Sequence, residues 1–156
     1  SFNKKRFTEQ ALEYDFVQDN ESLSTYGTIR GLHYQLAPYA QTKLMRVIYG
    51  KIYDVAVDLR ENSPTFGQWY GIELTSENKE QLLIPRGFAH GFSVLSNKAI
   101  ILYKCDNFYQ PDSERGINYK DPTLKIDWKV EPHQAVVSAK DKVLPDFKEA
   151  EMNFSI

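Results

Sequence analysis

The run Met45-Arg46-Val47-Ile48-Tyr49-Gly50-Lys51-Ile52-Tyr53-Asp54-Val55-Ala56-Val57-Asp58-Leu59-Arg60 decides the fold class. It is dense in Val, Ile, Tyr and Leu, and within it Val55, Val57 and Leu59 alternate with Ala56 and Asp58. Branched and aromatic side chains on a two-residue period are what a β-strand requires. Working outward, residues 68–74, 80–84, 88–95 and 99–104 are runs of the same kind, each set off by Gly, Pro, Ser or Asn. Short strands at such spacing predict an all-β chain, a sandwich or barrel of the jelly-roll type. Helical signals are sparse: residues 8–13 and 146–152 are each expected to form a turn or two. Residues 111–122 are the most loop-like stretch and are expected to lie over a barrel mouth.

A chain of 156 residues supports one sizeable core, so a single domain over residues 1–156 is expected. The formal charge of −2, from 19 basic and 21 acidic residues, favours neither nucleic acid nor an anionic membrane as partner. An anionic ligand would need a local basic site. Apolar stretches such as residues 99–103 fall far short of the ~20 residues that span a bilayer, and no signal peptide is evident, so a soluble protein is expected. The one cysteine, Cys105, fits a reducing compartment, which makes the cytoplasm the expected location.

The residues that could carry chemistry read ambiguously one at a time. On a strand, His90 shares a face with Phe88, Phe92 and Val94, and an imidazole there is as easily a satisfied core group as a pocket residue. Tyr103 shares the next strand's face with Ile101 and Cys105, and a hairpin pairing the two strands would bring His90 and Tyr103 into one cavity. Taken alone, a strand tyrosine is usually core filler. Arg30, Lys43 and Arg46 lie beside apolar runs, where cations either snorkel to solvent or line a barrel mouth suited to a phosphorylated or carbonyl substrate. Strict alternation puts Arg30 and His33 on opposite faces. Either Gly31 permits a bulge that re-aims them, or they do not share a pocket. No His-x-His occurs, and a three-histidine site using His133 would be poorly spaced, so no metal is expected. Nothing near Cys105 suggests an activating base, and phosphate-loop and dinucleotide fingerprints are absent.

Order resolves what single residues leave open. Gly27-Thr28-Ile29-Arg30-Gly31-Leu32-His33-Tyr34-Gln35 and Gln41-Thr42-Lys43-Leu44-Met45-Arg46-Val47 are followed by Val55-Ala56-Val57-Asp58-Leu59-Arg60 and Ser63-Pro64-Thr65-Phe66-Gly67. Next come Ile84-Pro85-Arg86-Gly87-Phe88-Ala89-His90-Gly91-Phe92, Tyr103-Lys104-Cys105, Tyr109, Glu114-Arg115-Gly116-Ile117, Asp121-Pro122 and Ser138-Ala139-Lys140-Asp141. This ordered set resembles the dTDP-4-dehydrorhamnose 3,5-epimerases from about residue 16 to residue 141. The resemblance implies a homodimeric cupin barrel that needs no cofactor and converts dTDP-4-dehydro-6-deoxy-glucose into dTDP-4-dehydro-rhamnose. It implies His33 as general base oriented by Asp141, Tyr103 as the acid on the opposite face, and Lys43 at the developing enolate oxygen. It also implies that Gln18, Asn20, Arg30, His90, Glu114 and Lys140 contact the nucleotide sugar and that Tyr109 stacks on the base. Members of the family usually extend further toward the N-terminus, where an arginine and a glutamate help hold the nucleotide, and the sequence is expected to begin after that segment.

The chemistry accounts for those residue types. A hydrogen beside a ketone becomes acidic when charge can move to the carbonyl oxygen, and a fixed cation there lowers the barrier. A neutral imidazole held by a carboxylate can accept that proton near pH 7. Inversion then needs a second acid on the other face. The competing readings are a mono-epimerase of another nucleotide 4-ketosugar, a non-catalytic sugar-nucleotide-binding cupin, and a metal-dependent cupin enzyme.

Overall fold

The computed structural model describes residues 2–156. A short helix α1 (Lys4–Glu9) precedes β1 (Gln18–Thr25), β2 (Thr28–Gln35), β3 (Lys43–Tyr49), β4 (Lys51–Asp58), β5 (Arg60–Glu61) and β6 (Trp69–Thr75). Then follow β7 (Gln81–Ile84), β8 (Phe88–Val94), β9 (Lys98–Cys105), β10 (Glu114–Gly116), β11 (Val136–Val137) and β12 (Phe154–Ser155). Single 3₁₀ turns occupy Pro111–Ser113, Pro132–Gln134 and Asp141–Val143. Two sheets make the jelly-roll sandwich: β1-β9-β3-β7 on one side, and β10-β2-β8-β4-β6 on the other, with β11 also on β2.

Two-residue alternation assigns every side chain to a layer. On β4, Ile52 and Ala56 enter the space between the sheets, whereas Val55 and Val57 face outward into a second core. Met45 and Val47 of β3, Phe92 and Val94 of β8, and Ala99 and Ile101 of β9 complete the inter-sheet core. The outer core is closed by the C-terminal third of the chain, which lays Leu124, Trp128, Val137 and Phe154 over the larger sheet. Both faces of β4 are therefore buried, so apolar residues fall on both of its faces, Ile52 and Ala56 on one and Val55 and Val57 on the other.

The run from Met45 to Arg60 is split by Gly50, where the chain passes from one sheet to the other. Gly50 has φ +82, and a Cβ there would lie 2.1 Å from the Lys98 carbonyl oxygen and 2.4 Å from Ser96 Oγ. This corner therefore packs directly on the equivalent corner between β8 and β9. That second corner rules out a hairpin of residues 88–95 with 99–104 as the way His90 and Tyr103 could meet. Both edges of β8 are taken, by β2 and β4, so β9 crosses to the opposite sheet and pairs with β1 and β3. His90 and Tyr103 thus belong to facing sheets, not to adjacent strands.

Two helix expectations are corrected. The N-terminal helix starts earlier than residue 8 because the Asn3 side chain caps it, accepting from Arg6 N at 3.1 Å, and it ends before Ala11, which takes φ 58. Residues 146–152 form turns, not a helix. Asp121 Oδ2 accepts the Phe147 N–H at 2.7 Å, and Asp146 Oδ1 accepts from Asn118 Nδ2 at 2.9 Å, so tertiary partners take the place of helical ones. Residues 111–122 are less loop-like than expected, since β10 pairs Glu114, Arg115 and Gly116 with Gln35, Tyr34 and His33. Asp58, in one of the sequence blocks quoted above, has a structural task. Its carboxylate accepts from Arg60 N and Nε at 2.9 Å, Arg60 Nη2 at 2.8 Å, Ser63 Oγ at 2.6 Å and Thr65 Oγ1 at 2.7 Å. Burial raises its pKa, but these donors outweigh that and hold it well below the usual carboxylate range.

Candidate active site

One end of the space between the sheets is polar. Ile29 and Leu32 both face the outer core, which on an unbroken strand would be impossible for residues three apart. The β2–β8 register shifts between Arg30 and His33, so Gly31 absorbs one extra residue and both Arg30 and His33 turn away from the outer core. The alternative left open by parity is settled in favour of the bulge. A Cβ on Gly31 would stand 2.6 Å from Gly91 Cα and 2.7 Å from the His90 carbonyl oxygen, at φ +113. Gly31→Ala is accordingly expected to destabilise the protein by about 1–3 kcal/mol through overpacking and to lower turnover, read by urea unfolding alongside an epimerisation assay; an unchanged midpoint with unchanged turnover would contradict it.

His33 lines a cleft together with Gln18, Asn20, Lys43, Tyr103 and Glu114. Its Nε2 lies 2.8 Å from Asp141 Oδ1, and Asp141 Oδ2 accepts the Gly31 N–H at 3.1 Å. The 3₁₀ turn Asp141–Val143 thus hooks onto the bulge itself. Burial raises the Asp141 pKa, but the bonds from His33, Gly31 and Ser138 outweigh it and hold the carboxyl below its ordinary value. An anion on Nε2 fixes the imidazole with its proton on that nitrogen and leaves Nδ1 as the basic atom. His33 keeps 27% of its side-chain surface exposed, against 4% for Asp141, so the dyad is anchored at one end and open at the other.

Tyr103 approaches from the smaller sheet, paired with Asn20 on β1 and Met45 on β3. Burial pushes its phenol above the ordinary value, with Cys105 and Glu114 adding to the shift and Arg30 opposing it, so the group is a neutral proton donor near pH 7. Lys43 pairs across strands with Cys105 and also lines the cleft. Burial pulls its ammonium below the ordinary value, and Cys105, Asp54 and Glu114 act against that. Arg46, three residues on, projects from the opposite face of β3 and belongs to a separate surface groove with Phe2 and Leu102.

At the rim, Glu114 Oε2 accepts from Tyr109 Oη at 2.8 Å and from Lys140 Nζ. Burial raises the Glu114 pKa, but these two donors outweigh it and hold the carboxyl below its ordinary value. Gln18 Nε2 donates to Asn20 Oδ1 at 2.9 Å, and Asn20 Nδ2 reaches Cys105 Sγ at 3.7 Å. Arg30, Lys140, Asp141 and His33 share a second cleft that adjoins the first through His33. Arg30 makes no ion pair among the described residues, and two cations near one opening suit a diphosphate.

His90 lies beneath the cleft, not on its wall. Its Nε2 is 2.6 Å from Asp54 Oδ1, with 9% and 0% of the two side chains exposed. Sequence reasoning missed Asp54, although Ile52, Asp54 and Ala56 share one face of β4, so its position was recoverable from parity. It also missed Gln35, which ties down the strap over the cleft by donating to the Tyr39 carbonyl at 2.6 Å and accepting from Gln110 N at 2.8 Å. His133 sits on the exposed 3₁₀ turn Pro132–Gln134. Among the described residues, no group of three or more His, Cys, Asp or Glu side chains is arranged to hold a metal ion, and no helix is long and apolar enough to cross a membrane.

Comparison with known proteins identifies the family of the chain. The model of the dTDP-4-dehydrorhamnose 3,5-epimerase family matches residues 1–149. The dTDP-4-dehydrorhamnose 3,5-epimerase of Shigella flexneri is 54% identical over 142 residues, covering 90% of this chain and 77% of its own. The crystal structure of the Elizabethkingia anophelis dTDP-4-dehydrorhamnose 3,5-epimerase superposes with a TM-score of 0.92 at 52% identity, over 95% of this chain and 81% of that one. A Legionella pneumophila dTDP-6-deoxy-D-glucose-3,5-epimerase, solved in complex with dTDP-4-keto-L-rhamnose, gives a TM-score of 0.91 at 49% identity, over 96% and 79% of the two chains.

Proposed function

The chain belongs to the dTDP-4-dehydrorhamnose 3,5-epimerase family, and from that premise we propose how its cleft works. The protein inverts C3 and C5 of dTDP-4-dehydro-6-deoxy-glucose to give dTDP-4-dehydro-rhamnose, a step of dTDP-rhamnose biosynthesis. One observation carries the mechanism: a carboxylate-held imidazole on the larger sheet and a neutral phenol on the smaller sheet line the same cleft. A sugar ring lying between the sheets presents one face to each.

His33 Nδ1 removes the proton on C3 or C5, the C–H electron pair moves into the ring, and the C4 carbonyl oxygen becomes an enolate oxygen facing Lys43. Tyr103 then delivers its phenolic proton to the same carbon from the opposite face. One proton is taken and one given per inversion; the His33 imidazolium and Tyr103 phenolate return to their resting forms by exchange with solvent. The step balances without a redox group. Arg30 and Lys140 hold the diphosphate, Gln18, Asn20 and Glu114 the nucleotide sugar, and Tyr109, half exposed at the cleft edge, stacks on the base.

The test is incubation with the 4-ketosugar nucleotide in deuterated water. Deuterium at both C3 and C5, with inverted configuration at each by NMR, is expected. Deuterium and inversion at a single carbon would make the protein a mono-epimerase, and neither would sink the catalytic reading.

A homodimer is part of the same proposal. The outward face of the smaller sheet exposes Leu23 and Ile48, and apolar sheet faces of this kind are commonly covered by a second subunit. Sedimentation at a species mass of one chain would count against it. Cytoplasmic placement rests on the single, buried and unpaired Cys105.

A further inference from the structure

We propose that Gln35 is a positioning residue for substrate binding: it holds the strap of residues 107–110 so that the Tyr109 ring is set to receive the nucleobase before the substrate arrives. The inference rests on the reading of Tyr109 as the surface on which the base stacks. It starts from a segment whose order has no source in secondary structure. β9 ends at Cys105 and the next 3₁₀ turn begins at Pro111, so residues 107–110 lie on no strand and in no helix. Their backbone is met instead by side chains rooted in the walls of the cleft. Gln41 Nε2 donates to the Asn107 carbonyl at 2.8 Å and Gln35 Nε2 to the Phe108 carbonyl at 3.2 Å. Gln18 Oε1 accepts the Tyr109 N–H at 3.3 Å, and Gln35 Oε1 accepts the Gln110 N–H at 2.8 Å. Gln35 thus brackets Tyr109, bonding the residue on either side of it through one amide.

Gln35 ends β2 two residues after His33, so alternation turns both into the same cleft. Only 5% of its surface is exposed, and burying an amide is costly unless it is bonded. Its Nε2 also donates to the Tyr39 carbonyl at 2.6 Å, so backbone groups of two loops use both of its donors and its acceptor. What it holds has little other anchorage, since Phe108 and Tyr109 are 60% and 50% exposed and packing contributes little. The remaining tie on Tyr109 is at the phenol, which donates to Glu114 Oε2 at 2.8 Å, and Glu114 is itself the register partner of Gln35 on β10. The ring is therefore fixed at its backbone and at its hydroxyl, with half of its surface left to solvent. A strap without these bonds would have to be ordered at the moment of binding, and the freedom lost would subtract from affinity. None of these bonds involves His33 or Tyr103, so Gln35 acts on the nucleotide end of the substrate and not on the proton transfers.

The experiment measures dTDP binding by calorimetry, together with steady-state kinetics, for Gln35→Met, Tyr109→Ala and the double variant. Methionine keeps the length and much of the volume of the side chain and removes its hydrogen bonds to the strap. Tyr109→Ala is expected to weaken dTDP by about tenfold or more, the scale of one base–aromatic stack. Gln35→Met is expected to weaken it by about five- to tenfold and to raise KM in proportion, with kcat within about threefold and little further loss when it is added to Tyr109→Ala. A residue that merely stabilises the fold would lower Tm and weaken dTDP equally in both backgrounds; additive losses of that kind, or wild-type dTDP affinity in Gln35→Met, overturn the proposal. If Tyr109→Ala itself binds dTDP like the wild type, the reading of Tyr109 has failed, and the role of Gln35 with it. If Tyr109→Ala is weakened and Gln35→Met is not, the role of Gln35 alone has failed. Should Gln35→Met not fold, hydrogen exchange of the Gln110 amide in the wild-type protein decides, because that N–H is bonded to the Gln35 side chain. Protection in the absence of dTDP upholds the proposal, and free exchange there overturns it.

Discussion

His33→Asn is expected to lower kcat by at least the ~10²–10⁴ that a positioned acid or base contributes, with substrate affinity far less affected. The asparagine amide occupies much of the ring's space but has no basic atom to take the place of Nδ1, so both C3 and C5 lose their proton acceptor together. The loss is therefore expected in solvent exchange as well as in product formation. Asp141→Asn is expected to fall in the same direction, because an amide can offer the Nε2–H a carbonyl oxygen only if its NH₂ then faces the Gly31 N–H, replacing an attraction by a clash of donors. Single-turnover measurement of deuterium uptake decides the matter: near-normal exchange in His33→Asn would remove His33 from the role of base.

Tyr103→Phe is expected to split two events that the wild type performs together. The ring keeps its packing beside Met45 and Asn20, but the donor on the smaller sheet is gone. Deprotonation by His33 survives, and the imidazolium can return a deuteron only to the face it came from. Deuterium with retained configuration should therefore accumulate while inversion falls by about 10²-fold or more. If the hydroxyl were only a satisfied core group, its removal would change stability by roughly 1 kcal/mol and leave the ratio of exchange to inversion untouched. Inverted product at the wild-type rate would assign the second face to water or another acid.

How far the molecule is legible in its sequence varies from element to element. Val55, Val57 and Leu59 announce a strand by local pattern, and β6, β7, β8 and β9 follow within a residue or two of their expected limits. The partner of each strand is not legible, because it depends on which edges are free. β9 leaves β8 only because β2 and β4 already occupy it. Arg30 and His33 share a face through a bulge whose cause, the close approach of Gly91, lies 60 positions further along the chain. Strand β10 and the turns at 146–152 are set by tertiary partners, His33 to Gln35 in one case and Asp121 in the other, with little local signal. The site residues were reachable through the ordered family blocks, whereas Asp54 escaped because a strand buried on both faces hides a polar residue among its neighbours.

The hook of Asp141 onto Gly31 and His33 spans 110 and 108 positions of the chain. It is also the only part of the acid–base set carried by the outer layer, since His33, Lys43 and Tyr103 are all strand residues of the two sheets. The proposed base is therefore held by contacts that exist only while the C-terminal third is docked, and they are lost when that layer lifts. Subglobal opening of this kind costs less than global unfolding. It separates competence from foldedness: a population with both sheets intact and its amide protons protected can still be without a working base.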